Sequence, residues 1–330
     1  MTLKCIDAFK NINIVAGNKG LELSPCCISP TESADSIDFA NNNYLCDIRN
    51  QWNQGQFPTA CNSCKTAESA GYVSRRQGVN QWYIDHGYDN ERVEMVRIDY
   101  RVGDLCNLAC VICGPHFSSV WKQELHIPLL QRKVNVNDNW TDLDLSQLKH
   151  IHFNGGEPLL SKEHVKFLQA IPNKHRVQVN YNTNATIQAS QELLDLWQQF
   201  ELVQLDFSID DVGARFEYQR YPANWSEVTS NLQWYIDTAP HNCMFAVNTS
   251  VGILNHANLD NLNSWLQKNF HTTRFTDPIE HRQQPTTGLF ALQDAEKRKS
   301  RIVSTLDSID QRRGTNWRTT FPELIKLLSL

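Results

Sequence analysis

The feature that most constrains the fold is an alternation of two periodicities along residues 93–285. Strand-like runs at "EMVRIDYRV", "KHIHFNG", "RVQVNYNT", "ELVQLDFSI", "CMFAVNTSVGI" and "TTRFTD" are separated by stretches with helical spacing. Those stretches are "FSSVWKQELHIPLLQ", "SKEHVKFLQAI", "SQELLDLWQQF", "WSEVTSNLQWYIDT" and "ANLDNLNSWLQKNF". Strands joined through helices build a parallel sheet, and this many units predicts an α/β fold with a partial barrel. Ser161 and Ser190 stand where N-caps are expected. A helical segment over 286–330 follows, in "LFALQDAEKRKSRIVSTLDSIDQ" and "FPELIKLLSL".

The strands are unusual in alternating apolar with polar residues. Arg97, Asp99 and Arg101 share one face of the first, and His152 and Asn154 one face of the second. Gln178, Asn180 and Asn182, then Gln204, Asp206 and Ser208, then Asn248 and Ser250 repeat the pattern. Parallel strands covered on both faces read as near-continuous apolar runs, so one face here is expected to be a polar inner wall. Val96, Ile98, Val177, Val179, Val203, Leu205, Phe207, Phe245 and Val247 are left to face the helices. A polar core of paired groups is the plain alternative. A cavity for a polar substrate fits so many polar groups better, with Asp99, Arg101, His152, Asn180, Asp206 and Asn248 as candidate contacts. His150 and His152 flank one strand, a placement more often structural than metal-ligating.

Composition sets limits. The 330 residues carry a net charge of -5, with 41% hydrophobic and 20% charged residues. That allows a sizeable core and argues against a non-specific nucleic-acid binder. No apolar run is long enough to span a bilayer, and the start lacks an apolar signal core, so a cytoplasmic protein is expected. Ten cysteines in such a chain point to metal or redox chemistry before disulfides.

Three of them form the run "CNLACVIC", Cys106, Cys110 and Cys113, just after the first strand of the series. Three thiolates at this spacing suit zinc with a fourth ligand from elsewhere, or an iron–sulfur cluster with one iron left open. Their company favours the second. "NGGEP" ends the second strand with Gly155, Gly156 and Glu157, glycines for close backbone approach and a carboxylate for an ammonium group. "SIDD" ends the fourth with Ser208 and Asp210, suited to ribose hydroxyls, and Arg220 in "YQRYP" suits a carboxylate. An open iron, an ammonium acceptor, ribose acceptors and a carboxylate partner describe S-adenosylmethionine.

On these motifs the chain resembles the radical S-adenosylmethionine superfamily over roughly residues 93–285. The resemblance implies a partial (β/α)6 TIM barrel and a [4Fe–4S] cluster on Cys106, Cys110 and Cys113. Ile112 stands at the position before the last cysteine that is usually aromatic or aliphatic. It further implies reductive cleavage of S-adenosylmethionine to a 5′-deoxyadenosyl radical that removes hydrogen from a substrate. Asn182, on the inner face, is counted with Gly155, Gly156, Glu157, Ser208, Asp210 and Arg220 as cofactor-binding.

The first 75 residues hold six more cysteines. "NINIVAGNKGLELSPCC" reads as a hairpin, "YLCDIRNQWNQG" as a short helix, and "CNSC" as a Cys-x2-Cys pair. Cysteine, hairpin glycine, cysteine, short helix and Cys-x2-Cys resembles the twitch, or half-SPASM, domain with its auxiliary [4Fe–4S] cluster, although that family carries it after the barrel. The ligands implied are Cys5, Cys61, Cys64 and one of Cys26 and Cys27, with Cys26 preferred; a four-cysteine zinc site is the alternative. Cys46 and Cys243 are assigned to the core. The expected organisation is thus a twitch-like domain at 1–75, a linker at 76–92, the barrel at 93–285 and the helical segment at 286–330. The implied partners are an electron donor such as flavodoxin or ferredoxin, and a peptide or protein side chain as substrate. A small polar metabolite is the second substrate class, and a non-catalytic iron–sulfur or zinc protein the reading from another class.

Overall fold

The computed structural model describes residues 4–17, 20–88, 90, 92–128, 143–270, 281–285, 288–292 and 295–328. The chain begins with helix α1 (Asp7–Lys10) and strands β1 (Asn11–Gly17), β2 (Gly20–Ser24) and β3 (Glu32–Ala34). Helices α2 (Asn43–Asn53), α3 (Asn62–Ser69) and α4 (Arg75–Asp85) follow. The alternating region then runs β4 (Arg97–Arg101), α5 (Ser119–Glu124), β5 (His150–Asn154), α6 (Glu163–Ala170), β6 (Gln178–Thr183) and α7 (Gln191–Trp197). It continues through β7 (Leu202–Ser208), α8 (Gly213–Gln219), α9 (Trp225–Thr238), β8 (Cys243–Val251), α10 (Leu259–Asn269) and β9 (His281–Pro285). Helices α11 (Lys299–Arg313), α12 (Trp317–Thr320) and α13 (Pro322–Leu327) form the C-terminal segment.

Among the described residues all nine strands belong to one sheet in the order β3-β2-β1-β4-β5-β6-β7-β8-β9. From β4 to β9 every neighbouring pair is parallel, and spatial order equals chain order. That is the α/β partial barrel the alternation predicts, open because β3 and β9 stand at its two edges among the described residues. The expected hairpin is present as antiparallel β1 and β2. It is not a separate sheet. β1 pairs in parallel with β4 from Asn11↔Arg97 to Val15↔Arg101, adding a seventh parallel strand that the sequence reading assigns to the hairpin alone.

Register lines the side chains into rows. Ile12, Ile98, Ile151, Val179, Val203 and Cys243 form one row, and Ile14, Tyr100, Phe153, Tyr181, Leu205 and Phe245 another. These rows are buried and make the main core with α6, α7 and α9, through Phe167, Leu194, Trp197 and Leu232. On the opposite face runs the row Asn13, Asp99, His152, Asn180 and Gln204, so the polar inner wall exists. A second core, built on Trp317, Phe321, Ile302 and Leu306, packs Ala109 and Val111 of the cysteine loop against the C-terminal helices.

Residues 76–92, read as a linker, contain most of α4. Ser74 opens it with a reciprocal capping box to Gln77, and Arg76, Asn80 and Tyr83 are its buried residues. Ser190 caps α7 as expected. Ser161 lies one residue before the cap of α6, though its hydroxyl still accepts from the Glu163 amide at 3.3 Å. Cys243 is fully buried, but Cys46 is only half-buried, its thiol donating to the Ala40 carbonyl at 3.2 Å. The segment "TTRFTD", expected to form the last strand, lies at 272–277, outside the described residues, as does 129–142 of the loop before β5. No helix among the described residues is long and apolar enough to cross a membrane.

Candidate active site at the strand ends

Cys106, Cys110 and Cys113 sit on the loop that leaves β4, and the rest of the strand ends hold that loop in place. The Gly156 amide donates to the Gly103 carbonyl at 2.9 Å and the Glu157 amide to the Leu105 carbonyl at 2.7 Å. A Cβ on Gly156 would lie 2.1 Å from the Leu105 oxygen, and one on Gly155, where φ is +113°, 2.7 Å from the Gly103 oxygen. The two glycines therefore admit the chain's own cysteine loop, where the sequence reading has them admit a ligand. On its other side the Ala109 amide donates to the Tyr221 carbonyl at 2.6 Å, and the Val111 amide to the Gln219 carbonyl at 2.7 Å. Trp121 donates its indole N–H to the Cys110 carbonyl at 2.8 Å, and Ser119 its hydroxyl to the Cys106 carbonyl at 2.9 Å. Ile112 packs half-buried against the second core.

The charged groups expected to handle a zwitterion converge on this loop. Glu157 is 1% exposed, and its carboxylate accepts from the Leu159 amide at 3.1 Å, the Thr183 hydroxyl at 2.9 Å and the Asn184 amide at 2.8 Å. Burial nonetheless pushes its pKa up to about 7. Arg220 is ion-paired to buried Asp210 at 2.8 Å, and Asp210 also accepts from the Ser250 amide at 2.8 Å. Asp210 is thus engaged by Arg220, a pairing that the separate ribose and carboxylate roles do not anticipate. Burial raises the Cys106 thiol to about 11 and Cys110 to about 12, opposed in both by the Arg220 guanidinium nearby. Cys113 is exposed, so the loop is open on one side. Ser208 is half-buried opposite Asn248 in register, and Asn182 accepts from the Asn248 amide at 3.5 Å.

The inner-wall candidates fall into two groups. Asn180 donates to Asp206 at 3.2 Å, and Gln204 donates to the same carboxylate at 2.7 Å. Asp99, 1% exposed, meets His152 Nδ1 at 3.2 Å and accepts from Arg75 at 2.9 Å and Asn11 at 3.2 Å. Burial opposes its ionisation, but Arg75 and His152 outweigh that and hold the carboxyl well below the usual range. Arg101 folds back over the Phe117 ring at 4.2 Å and donates to the His116 carbonyl, so it serves the end of the cysteine loop. Arg75, absent from the sequence reading, is central here. Its only sequence signal is a pair of arginines in a polar stretch.

A second thiol set surrounds a small cavity beneath the hairpin. Cys5, Cys26, Cys61 and Cys64 line it together with Asp7, Trp52, Arg75 and Arg76. Cys26 lines it and Cys27 does not. Four thiols from three segments of the chain thus face one cavity. In the wall the buried Arg75 Nε has no hydrogen-bond partner and the Trp52 indole N–H is directed at the Cys61 thiol, so donors face the sulfur atoms. Burial raises the pKa of Cys5, with Asp7 and then Cys26 and Cys61 adding to the effect. Among the described residues no three His, Cys, Asp or Glu side chains stand close enough to hold a single metal ion.

No family profile matches the chain, and no curated protein matches it. Solved structures do. An anSMEcpe structure with bound AdoMet is similar with a TM-score of 0.43 and 16% identity, over 67% of this chain and 62% of that one. Streptococcus suis SuiB bound to S-adenosylmethionine matches with a TM-score of 0.40 and 12% identity, over 95% of this chain and 73% of that one. TYW1 with a lysine-pyruvate adduct matches with a TM-score of 0.33 and 12% identity, over 66% and 71%. This chain thus spans less than two thirds of the anSMEcpe chain.

Proposed function

We propose that the protein is a radical S-adenosylmethionine enzyme whose Cys106, Cys110 and Cys113 hold a [4Fe–4S] cluster at the ends of the parallel strands. The observation that supports this best is the binding of one loop, through backbone hydrogen bonds, to both the Glu157 turn and the Arg220 segment. This holds the loop of Cys106, Cys110 and Cys113 against the segments that carry Glu157 and Arg220. A cluster held by Cys106, Cys110 and Cys113 would supply the one-electron chemistry that cleaves S-adenosylmethionine reductively. Glu157 receives the methionine ammonium, held in place by its three donors. Arg220 meets the carboxylate while staying paired to Asp210, and Ser208 with Asn182 faces the nucleoside. Gly155 and Gly156 keep the loop against the strand ends, and Ile112 seats it on the second core.

The thiol set at Cys5, Cys26, Cys61 and Cys64 is proposed to hold an auxiliary [4Fe–4S] cluster in a twitch-like unit, with a flavodoxin- or ferredoxin-type donor supplying electrons. A peptide or protein side chain is the proposed substrate. The short edge strand β3, with Glu32 and Ser33 exposed, offers an edge to which an extended segment can add. Asp99, Arg101, His152, Asn180, Asp206 and Asn248 remain the proposed lining of the substrate space. The test is anaerobic reconstitution followed by dithionite and S-adenosylmethionine. Formation of 5′-deoxyadenosine supports the reading, while iron-loaded protein that binds the cofactor without cleaving it would leave a non-catalytic iron–sulfur protein.

A further inference from the structure

A line of charged side chains runs from the N-terminal cavity to the polar row of the sheet. Arg75 lines the N-terminal cavity, and its Nη2 reaches both Asp7 at 3.2 Å and Asp99 at 2.9 Å. Asp7 is held in turn by the Tyr83 hydroxyl at 2.9 Å. The other oxygen of Asp99 meets His152 Nδ1 at 3.2 Å, in the middle of the polar row. An ionised carboxylate only accepts, so His152 carries its proton on Nδ1 and leaves Nε2 as the basic atom. Nε2 is buried and has no hydrogen-bond partner, although the side chain keeps 17% of its exposure. Its lone pair is therefore free to take a proton.

We propose that Arg75, Asp99 and His152 form a charge relay in which His152 Nε2 gains a proton when the group in the N-terminal cavity gains an electron. The inference rests on the proposed iron–sulfur occupant of that cavity. One electron enters the group from its donor or from the substrate, and one proton moves to Nε2 from the substrate or solvent. No other bond changes. A fixed guanidinium between two carboxylates transmits the added negative charge, because the interior screens it far less than water does. The coupling lets a buried pair of sites accept a proton and an electron without accumulating charge. Arg75 and Asp99 are positioning residues, acting through His152.

Charged and titratable groups stand near His152 on the neighbouring elements. Arg97 lies on β4 and His150 on β5, with Arg97 stacked over the Trp82 ring at 4.7 Å. Asp7 stands behind Arg75, and the Cys27 thiol feels both Asp99 and Arg75. From β6, Asn180 is turned to Asp206.

The experiment is a redox titration of the reconstituted full chain by electron paramagnetic resonance at a series of pH values. By reciprocity, if reduction favours protonation of His152, then protonation favours reduction. The N-terminal centre of the wild-type protein should therefore show a potential that falls as pH rises. His152→Gln should abolish that dependence, and Arg75→Gln should both weaken it and make the centre harder to reduce at every pH. A redox-active N-terminal centre with a flat profile in the wild type would overturn the relay alone, whether or not the variants fold. Persistence of the full dependence in folded His152→Gln would do the same. A redox-silent cavity holding zinc would overturn the auxiliary-cluster reading and the relay with it.

Discussion

The two cysteine sets differ in how the chain assembles them. Cys106, Cys110 and Cys113 come from one loop, graded from half-buried to exposed. Cys5, Cys26, Cys61 and Cys64 come from the N-terminal turn, the end of β2 and the start of α3, and two of them are buried. One set is local, three-sided and open. The other is assembled by tertiary structure, four-sided and closed by Trp52, Arg75 and Arg76. The difference teaches what each can do. An open set keeps a coordination place for a reactant, whereas a closed set confines its occupant to holding the fold together or passing electrons.

The sharpest way to break this contrast is to remove the open set. Cys106→Ala, Cys110→Ala and Cys113→Ala together should halve the iron of reconstituted protein and abolish 5′-deoxyadenosine formation. Product formation by the triple variant would sink the assignment. Next in size is Gly156→Ala. With the Leu105 oxygen 2.1 Å from the new Cβ, the loop must leave the strand end. Iron at the open site and cofactor cleavage should both fall at least tenfold, while the N-terminal iron stays. Equal iron at both sites in this variant would show that the loop needs no such seat.

Opening the closed set should do less to cofactor chemistry. Cys61→Ala with Cys64→Ala should lose one cluster yet retain cleavage of S-adenosylmethionine, because Cys106, Cys110 and Cys113 are untouched. X-ray absorption at the iron and zinc edges reads the occupant directly. One zinc with sulfur at about 2.3 Å, beside four irons per chain, would refute the twitch-like assignment.

The smallest effect lies at Glu157. Its removal as Glu157→Ala should weaken cofactor binding by about 1.5–3 kcal/mol, a charge-assisted hydrogen bond, with iron content kept. The pH sign follows from its burial. With a folded pKa raised to about 7, the residue is largely protonated below that value and cannot fully attract an ammonium. Affinity should rise as pH increases through about 7 in the wild type, and Glu157→Gln should flatten the curve in a calorimetric titration. For the unliganded fold the sign is opposite. The raised pKa contributes stability that is complete below the unfolded value of about 4.5 and is lost as pH rises through about 7.

Local periodicity carried most of the barrel. α9 falls at Trp225–Thr238, as its pattern predicts, and the polar rows follow from strand alternation alone. What escaped was whatever depends on distant partners. The sequence shows Asn11 and Asn13 alternating with Ile12 and Ile14 just as Arg97 and Asp99 alternate with Ile98 and Tyr100, yet nothing local says that the two segments lie side by side. α4 escaped for a different reason. Its inner face is Arg76, Asn80 and Tyr83, so apolar spacing could not reveal it. β9 reads His-Arg-Gln-Gln-Pro, without the hydrophobic alternation that marks the other strands. At the site, residue types were legible and their pairings were not. The Arg220–Asp210 ion pair and the glycines' service to the chain's own loop are products of approach in space.

The parallel pairing of β1 with β4 has a practical consequence for anyone who wishes to trim the molecule. A fragment starting near residue 93 would keep every residue proposed to bind S-adenosylmethionine. It would also strip β4 of its neighbour, leaving the amides and carbonyls of Arg97–Arg101 as a raw border of the sheet. Ile98 and Tyr100, now 0% and 2% exposed, flank that border. Unprotected borders of this kind invite a second chain to add to them. Such a fragment should therefore elute as aggregate in size-exclusion chromatography, and a fragment starting at residue 4 should elute as a single folded species.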